Sequence, residues 1–162
     1  MEPDVNVKIQ LLENGTMPTR ATEGSAGWDL YAAEDAELRG GETKAVSVGF
    51  KVSLPRDIEM QIRSRSGLSL KGVVVANSPG TVDSDFRGEV KVILHCNRPP
   101  HYQQTPTKFG GPPAPKAPTT FISKGDRIAQ AVFAWVPKLS LVSVSSLDET
   151  ARGEGGFGST GK

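Results

Sequence analysis

The side chains with the greatest capacity for chemistry fall in five short segments, and the last is the most unusual. Arg152 to Gly161 reads Arg-Gly-Glu-Gly-Gly-Phe-Gly-Ser-Thr-Gly. Arginine offers a rigid fork for phosphate, and glycines let backbone N–H groups approach an anion closely. Phe157 is a lone aromatic able to stack on a base. Gly153 to Gly158 has the spacing G-x-G-x-x-G. A dinucleotide fingerprint, however, must follow a strand and open a helix inside a βαβ unit, and here the chain ends at Lys162. Gly153 and Gly158 also have Walker A spacing, but Ser159 stands where the lysine is needed. The plainest reading is a loose tail. The chemical reading is an arm that orders over a bound nucleotide.

The other four segments are individually modest. Ala26-Gly27-Trp28-Asp29-Leu30-Tyr31-Ala32 places Asp29 in an otherwise apolar run, where an unpaired carboxylate is costly and needs a cation, a donor or water. Arg63-Ser64-Arg65-Ser66-Gly67-Leu68 joins arginine, hydroxyl and glycine at a predicted helix start, a combination that suits an anion. Gly80 to Glu89 carries Asp83 and Asp85 between two apolar strands; acids at turns are ordinary, so each alone reads as turn chemistry. Gly125-Asp126-Arg127-Ile128-Ala129-Gln130 is a turn leading into the apolar run Ala131 to Val136.

The elements that must position these segments are strands. Val5, Val7, Ile9 and Leu11 alternate with Asn6, Lys8 and Gln10. Val46, Val48, Phe50 and Val52 repeat the pattern, as do Ile58, Met60 and Ile62, and Val90, Val92 and Leu94. Period-2 alternation marks half-buried strands. The only helix expected is a short one over Ser66 to Lys71, with Ser66 as N-cap. Many short strands with regular turns predict an all-β sandwich or jelly roll. From Asn97 to Thr119 the chain turns Pro- and Gly-rich, with Gly110-Gly111-Pro112-Pro113-Ala114-Pro115 at its centre. Proline lacks the ladder donor, so this stretch reads as a surface loop outside any sheet interior.

Bulk properties set limits. A length of 162 residues suits one domain with a real core. Lys plus Arg total 19 against 18 Asp plus Glu, which removes the electrostatic case for bulk nucleic-acid binding but leaves room for a local anion site. The single cysteine, Cys96, has no disulfide partner and cannot build a zinc cluster. Its place in the run Val90 to Cys96 predicts a buried, inert thiol. No long apolar stretch and no signal-peptide pattern at Met1 to Gln10 occur, so a soluble, intracellular protein is expected, in cytoplasm or nucleus, with no membrane partner.

Together and in this order, the five segments resemble the five motifs of the homotrimeric dUTPase family, from the Ala26 segment to Gly161. The resemblance implies a β-clip-like jelly roll over 1–150, which would carry the Pro/Gly-rich surface loop at about 97–119 read above, and a flexible C-terminal arm over 151–162. It implies hydrolysis of dUTP to dUMP and pyrophosphate with Mg²⁺, in active sites shared between subunits. Asp83 matches the family's catalytic aspartate, which activates the attacking water. Asp29 matches the aspartate that reaches Mg²⁺ through coordinated water. Arg65, Ser66, Gly67 and Gln130 match phosphate contacts, the first three from a neighbouring subunit. Asn77, Gly80, Thr81, Val82 and the Lys91 backbone match the hairpin that reads uracil. Arg152, Phe157, Gly158, Ser159 and Thr160 match the closing arm, which the family draws from a third subunit.

Three residues depart from the pattern. Phe86 stands where a tyrosine that packs on deoxyribose is usual; the apolar face is kept, so discrimination against UTP is expected to survive. Trp28 replaces the commoner tyrosine before Asp29. Ser64 replaces a frequent proline before Arg65, which predicts a less rigid turn. The 97–119 excursion exceeds the short turn usual there and reads as a tolerated insertion, with a partner-binding loop as the minority reading. Two alternatives share the fold: a dCTP deaminase relative, and a non-catalytic nucleotide sensor.

Overall fold

The computed structural model describes residues 5–98, 101–102, 115–116 and 118–156. Two four-stranded antiparallel sheets dominate it. The first has the order β1-β4-β8-β6, with β1 at Lys8–Leu11, β4 at Thr43–Ser53, β8 at Glu89–Cys96 and β6 at Val73–Val75. The second has the order β2-β12-β5-β7, with β2 at Trp28–Tyr31, β12 at Arg127–Trp135, β5 at Ile58–Arg63 and β7 at Gly80–Val82. β3 (Ala36–Arg39) pairs with β11 (Thr119–Ile122), and β9 (His101–Tyr102) with β10 (Pro115–Lys116). The architecture is the expected all-β jelly-roll sandwich.

The alternation read from sequence is the alternation of burial. In β8, Val90, Val92, Leu94 and Cys96 are buried, while Lys91 and Ile93 face out. In β4, Val46, Val48, Phe50 and Val52 point inward. Leu30, Met60, Ile62, Ile128, Ala129 and Ala131 from the other sheet complete one contiguous core. Each fully buried large apolar side chain contributes about 1.5–3 kcal/mol to that core. Cys96 is fully buried, as its neighbours predict.

Four expectations need correction. The first strand is shorter than its alternation suggested: only Lys8–Leu11 is paired, and Val5 and Leu11 are exposed. The helix α1 spans Ser66–Ser69, with Arg65 rather than Ser66 at the N-cap and no side-chain cap bond. Instead the Ser69 hydroxyl donates back to the Arg65 carbonyl at 3.0 Å. Ser64 does not loosen its turn. Its Oγ accepts from Val75 N–H at 2.8 Å, its N–H reaches Ser78 Oγ at 3.4 Å, and its carbonyl accepts from Gln130 Nε2 at 2.9 Å. The described parts of the Pro/Gly-rich excursion include the small β9–β10 ribbon, separate from both main sheets, and its final residue Thr119 opens β11. No helix among the described residues is long and apolar enough to cross a membrane.

Candidate active site

The candidate residues read from sequence, apart from those of the arm, line two clefts. The first lies along the segment from β7 to β8, expected from sequence as a hairpin; in the fold the two strands do not pair with each other but belong to different sheets, β7 beside β5 and β8 between β4 and β6. β7 is the last strand of its sheet, pairing Ile62↔Gly80, Gln61↔Thr81 and Met60↔Val82 with β5. Asp83 follows immediately, exposed, and its carbonyl accepts from Phe86 N–H at 3.2 Å to close a turn. Arg87 Nη1 ties the Ser84 and Phe86 carbonyls together, each at 2.7 Å.

Two glycines permit close approaches within this hairpin. A Cβ on Gly80 would lie 2.9 Å from Asn77 Nδ2, so the bare Cα lets the Asn77 amide sit over it. A Cβ on Gly88 would lie 2.6 Å from Phe86 Cζ, so the ring rests on that backbone.

This cleft, of about 310 Å³, is lined by Asn77, Gly80, Thr81, Val82, Asp83, Phe86 and Lys91, every hairpin residue expected from sequence. Ala45, Ile62, Glu89, Val90 and Ile93 join them. Apolar side chains form much of its wall, with amide, hydroxyl and charged groups among them. Such a lining suits a flat heterocycle with polar edges, presented beside an exposed carboxylate. Glu89 and Ile93 share the outward parity of Lys91 and were within reach of sequence reasoning. Ala45 was not, because only the β4–β8 register places it opposite Ile93.

The second cleft, of about 470 Å³, is lined by residues of three sequence segments: Gly27 and Asp29, Arg65 to Gly67, and Arg127 with Gln130. Here Asp29 finds the partners its apolar surroundings demanded. Its Oδ1 forms an ion pair with Arg65, 2.8 Å from Nε, and its Oδ2 accepts from Arg127 Nη1 at 3.2 Å. Arg65 Nη1 also donates to the Arg127 carbonyl at 3.1 Å.

A strand irregularity makes this possible. Residues three apart face opposite sides of a regular strand. β12, however, shifts register between Arg127 and Ala129, so that Arg127 pairs with Tyr31 and Gln130 with Asp29. The extra residue puts Arg127 and Gln130 on the same face, as bulges commonly do beside functional sites. Sequence reasoning assigned a role to Gln130 and missed Arg127, because no local pattern announces the bulge.

The two clefts share no lining residue. The described part of the arm contributes to neither. Arg152 is exposed and its Nε donates to the Gly155 carbonyl at 2.8 Å, within a local turn. Phe157, Gly158, Ser159 and Thr160 lie outside the described residues.

Comparison with known proteins decides the family. The family model for dUTPase matches residues 13–99 and 114–161. The chain belongs to the dUTPase family. It is accordingly an enzyme of the dUTP diphosphatase class. The deoxyuridine 5′-triphosphate nucleotidohydrolase of Rickettsia felis is 45% identical over 160 residues, covering 96% of each chain. That of Wolinella succinogenes is 45% identical, covering 96% of this chain and 95% of the relative.

Among solved structures, a mutant of the Staphylococcus bacteriophage 80alpha dUTPase with dUpNHpp superposes with a TM-score of 0.83. It is 27% identical and covers 97% of this chain and 99% of its own. A mutant of the phage phi11 dUTPase of S. aureus, in which a structural Mg(II) ion is coordinated, has a TM-score of 0.74. It is 26% identical, covering 89% of this chain and 99% of its own. The stretch between the two family-model matches falls inside the Pro/Gly-rich excursion.

The metal expectation meets a firm chemical condition in this dUTPase fold. Among the described residues no group of three or more His, Cys, Asp or Glu side chains is placed to hold a metal. Both oxygens of Asp29 are already engaged by guanidinium groups. The residues present do not form a cage for a bare divalent ion. They fit an ion that arrives on the triphosphate, since Mg²⁺ keeps several waters and takes few protein carboxylates. The remaining lone pairs of Asp29 can accept from those waters.

Proposed function

We propose that this chain hydrolyses dUTP to dUMP and pyrophosphate, with Asp83 as general base in a site assembled from three subunits of a homotrimer. The observation that carries this reading is the hairpin cleft, where an exposed carboxylate stands beside a lining suited to a nucleoside. Uracil enters that cleft with its polar edge toward Asn77 and the backbone of Gly80, Thr81, Val82 and Lys91. Cytosine presents a donor where uracil presents an acceptor, and leaves buried groups unpaired. The Phe86 ring covers the deoxyribose face and excludes a 2′-hydroxyl.

Asp83 accepts a proton from a water molecule as the oxygen of that water bonds to the α-phosphorus. The bond from that phosphorus to the α–β bridging oxygen breaks, and pyrophosphate leaves with the electron pair. General-base catalysis of this kind typically supplies about 10²–10⁴-fold. Arg65, Ser66, Gly67 and Gln130 of a neighbouring subunit hold the phosphates. Arg152, Phe157, Gly158, Ser159 and Thr160 of a third subunit close over them, with Phe157 on the base. Asp29 would hold a triphosphate-borne Mg²⁺ through water, and the ion would supply neutralisation of the charge on the leaving group.

Two features support the shared site. The nucleoside and phosphate clefts are separate on one chain. The segment after β12 also runs without strand pairing, with Leu139, Leu141, Val142, Val144 and Leu147 exposed. Apolar side chains at that density in an extended segment are suited to burial against another copy.

The test is pyrophosphate release from dUTP with Mg²⁺, for the wild type and Asp83→Asn. Turnover by the first and loss of about 10²–10⁴-fold in the second, with nucleotide binding retained, are expected. A wild type that binds dUTP without turnover would instead identify a nucleotide sensor, and ammonia release from dCTP a deaminase.

A further inference from the structure

β8 reaches the nucleoside cleft with one bare edge. On the β6 side its ladder runs Val73↔Cys96, Val74↔His95 and Val75↔Leu94, and ends where Ala76 N–H donates to the Ile93 carbonyl at 2.7 Å. From there toward Glu89 no strand among the described residues covers that edge. On the other side Lys91 faces Ser47 of β4. Ser47 turns both backbone groups away from β8: its N–H donates to Glu34 Oε1 at 3.0 Å, and its carbonyl accepts from Ala33 N–H at 2.9 Å. Ser47 and Lys91 are therefore a non-hydrogen-bonded pair of the antiparallel ladder, and the N–H and carbonyl of Lys91 point the other way, to the bare edge. Lys91 lines the cleft together with Asn77 and Gly80.

The position of this edge depends on β4, at the place where β4 is least regular. The register moves from Ser47↔Lys91 to Lys51↔Glu89, so β4 advances from 47 to 51 while β8 moves only from 91 to 89. Gly49, at φ +69°, supplies the left-handed backbone that this bulge needs. Two bonds of one hydroxyl close it: Ser47 Oγ donates to Glu89 Oε1 at 2.5 Å and accepts from Gly49 N–H at 3.0 Å. The second oxygen of Glu89 lies 3.7 Å from Lys91 Nζ. We infer that Ser47 and Glu89 are a positioning pair for base recognition. Their bond ties the bulge of β4 to the start of β8 and so holds the Lys91 N–H and carbonyl where the polar edge of the base meets them. The inference rests on the reading above that this cleft takes the nucleoside. A hydroxyl bonded to a carboxylate is charge-assisted and strong, and the Glu89 side chain is only 32% exposed, which limits competition from water. Uracil and cytosine differ in the polar pattern of one edge, so a displaced Lys91 backbone costs selectivity as well as affinity.

Three substitutions separate the bond from the charge. Glu89→Met keeps the length of the side chain and removes the acceptor, Ser47→Ala removes the donor, and Glu89→Gln keeps an acceptor without the charge. Calorimetric titration of the full chain with dUMP and with dCMP reads base recognition without turnover. Glu89→Met and Ser47→Ala should each weaken dUMP binding about tenfold, and narrow the preference for dUMP over dCMP by a similar factor. Glu89→Gln should stay within about threefold of the wild type on both measures. The double variant Ser47→Ala with Glu89→Met should lose little more than either alone, because each removes the same bond.

A merely structural role would lower the thermal melt and leave the ratio of dUMP to dCMP affinity alone, since a partly unfolded population weakens both ligands alike. In steady-state hydrolysis the KM for dUTP should rise while kcat falls far less, because the turn that carries Asp83 has its own anchor in the Phe86 N–H. Wild-type selectivity between dUMP and dCMP in folded Ser47→Ala and Glu89→Met overturns the positioning role. Equal losses by Glu89→Gln and Glu89→Met overturn it too, since the charge beside Lys91 and not the bond would then be what counts. A wild type that binds dUMP no more tightly than dCMP would sink the underlying assignment of this cleft to the base instead.

Discussion

Residue identities on the hairpin do two kinds of work. Asp83 is exposed, and its own backbone carbonyl anchors the turn that carries it, which keeps the carboxylate available to a water while its position stays fixed. Phe86 is placed by what lies under it. Its ring rests on the Cα of Gly88, and an added Cβ would come within 2.6 Å of Cζ. Gly88→Ala must therefore lift or turn the ring. The expected result is a fall of about tenfold in the kcat/KM ratio of dUTP to UTP, the size of one misplaced apolar contact. The melting temperature should hardly change, since Phe86 is already 41% exposed. A ratio equal to wild type would show that Phe86 takes no part in excluding the 2′-hydroxyl.

Ser64 shows how far a single residue can depart from expectation. A serine replacing a rigid proline reads as looser in sequence. In the fold its N–H, hydroxyl and carbonyl all find partners, on Ser78, Val75 and Gln130. Proline could supply neither the N–H nor the hydroxyl.

At the scale of elements, β12 is the strand on which the second cleft depends. Its inward residues Ile128, Ala129 and Ala131 hold it in the core, and its bulge turns Arg127 and Gln130 to one face. The C-terminal arm is the opposite case, an element with few ties to its own subunit. In the described part, Arg152 bonds only within its own turn and residues 137–154 are exposed. Truncation after Thr150 should therefore leave the far-UV circular dichroism and thermal melt of the wild type intact. Steady-state turnover of dUTP should fall on the order of 10²-fold, as expected when the group that completes a site is withdrawn. Unimpaired turnover by the truncated chain would remove the arm from the mechanism.

The whole molecule carries its two clefts apart and exposes an apolar extended segment around Leu139 to Leu147. A site that draws Asp83 from one subunit and the arm from another can be rebuilt from two defective chains. Neither Asp83→Asn nor the chain truncated after Thr150 should turn over dUTP at an appreciable rate alone. Co-expressed in equal amounts, they should recover activity on the order of a quarter of wild type, the fraction of sites in which random assembly joins an intact Asp83 to an intact arm. No recovery in mixed oligomers confirmed by mass spectrometry would mean that both groups act from the same chain.

The alternation of Val46, Val48, Phe50 and Val52 and of Val90, Val92 and Leu94 determined by itself that these stretches are strands and which of their faces is core. Side-chain direction along a strand is a local property with a period of two. The nucleoside cleft was legible because Asn77, Gly80, Asp83, Phe86 and Lys91 lie within fifteen consecutive residues, so contiguity nearly suffices to bring them together even though β7 and β8 join different sheets. Only the tertiary structure decided the rest. The pairing of Asp29 with Arg65 and Arg127, the entry of Ala45 into the hairpin cleft and the three bonds of Ser64 depend on strand order, register and one bulge. Those are set by packing between segments far apart in the chain, where no local period reaches.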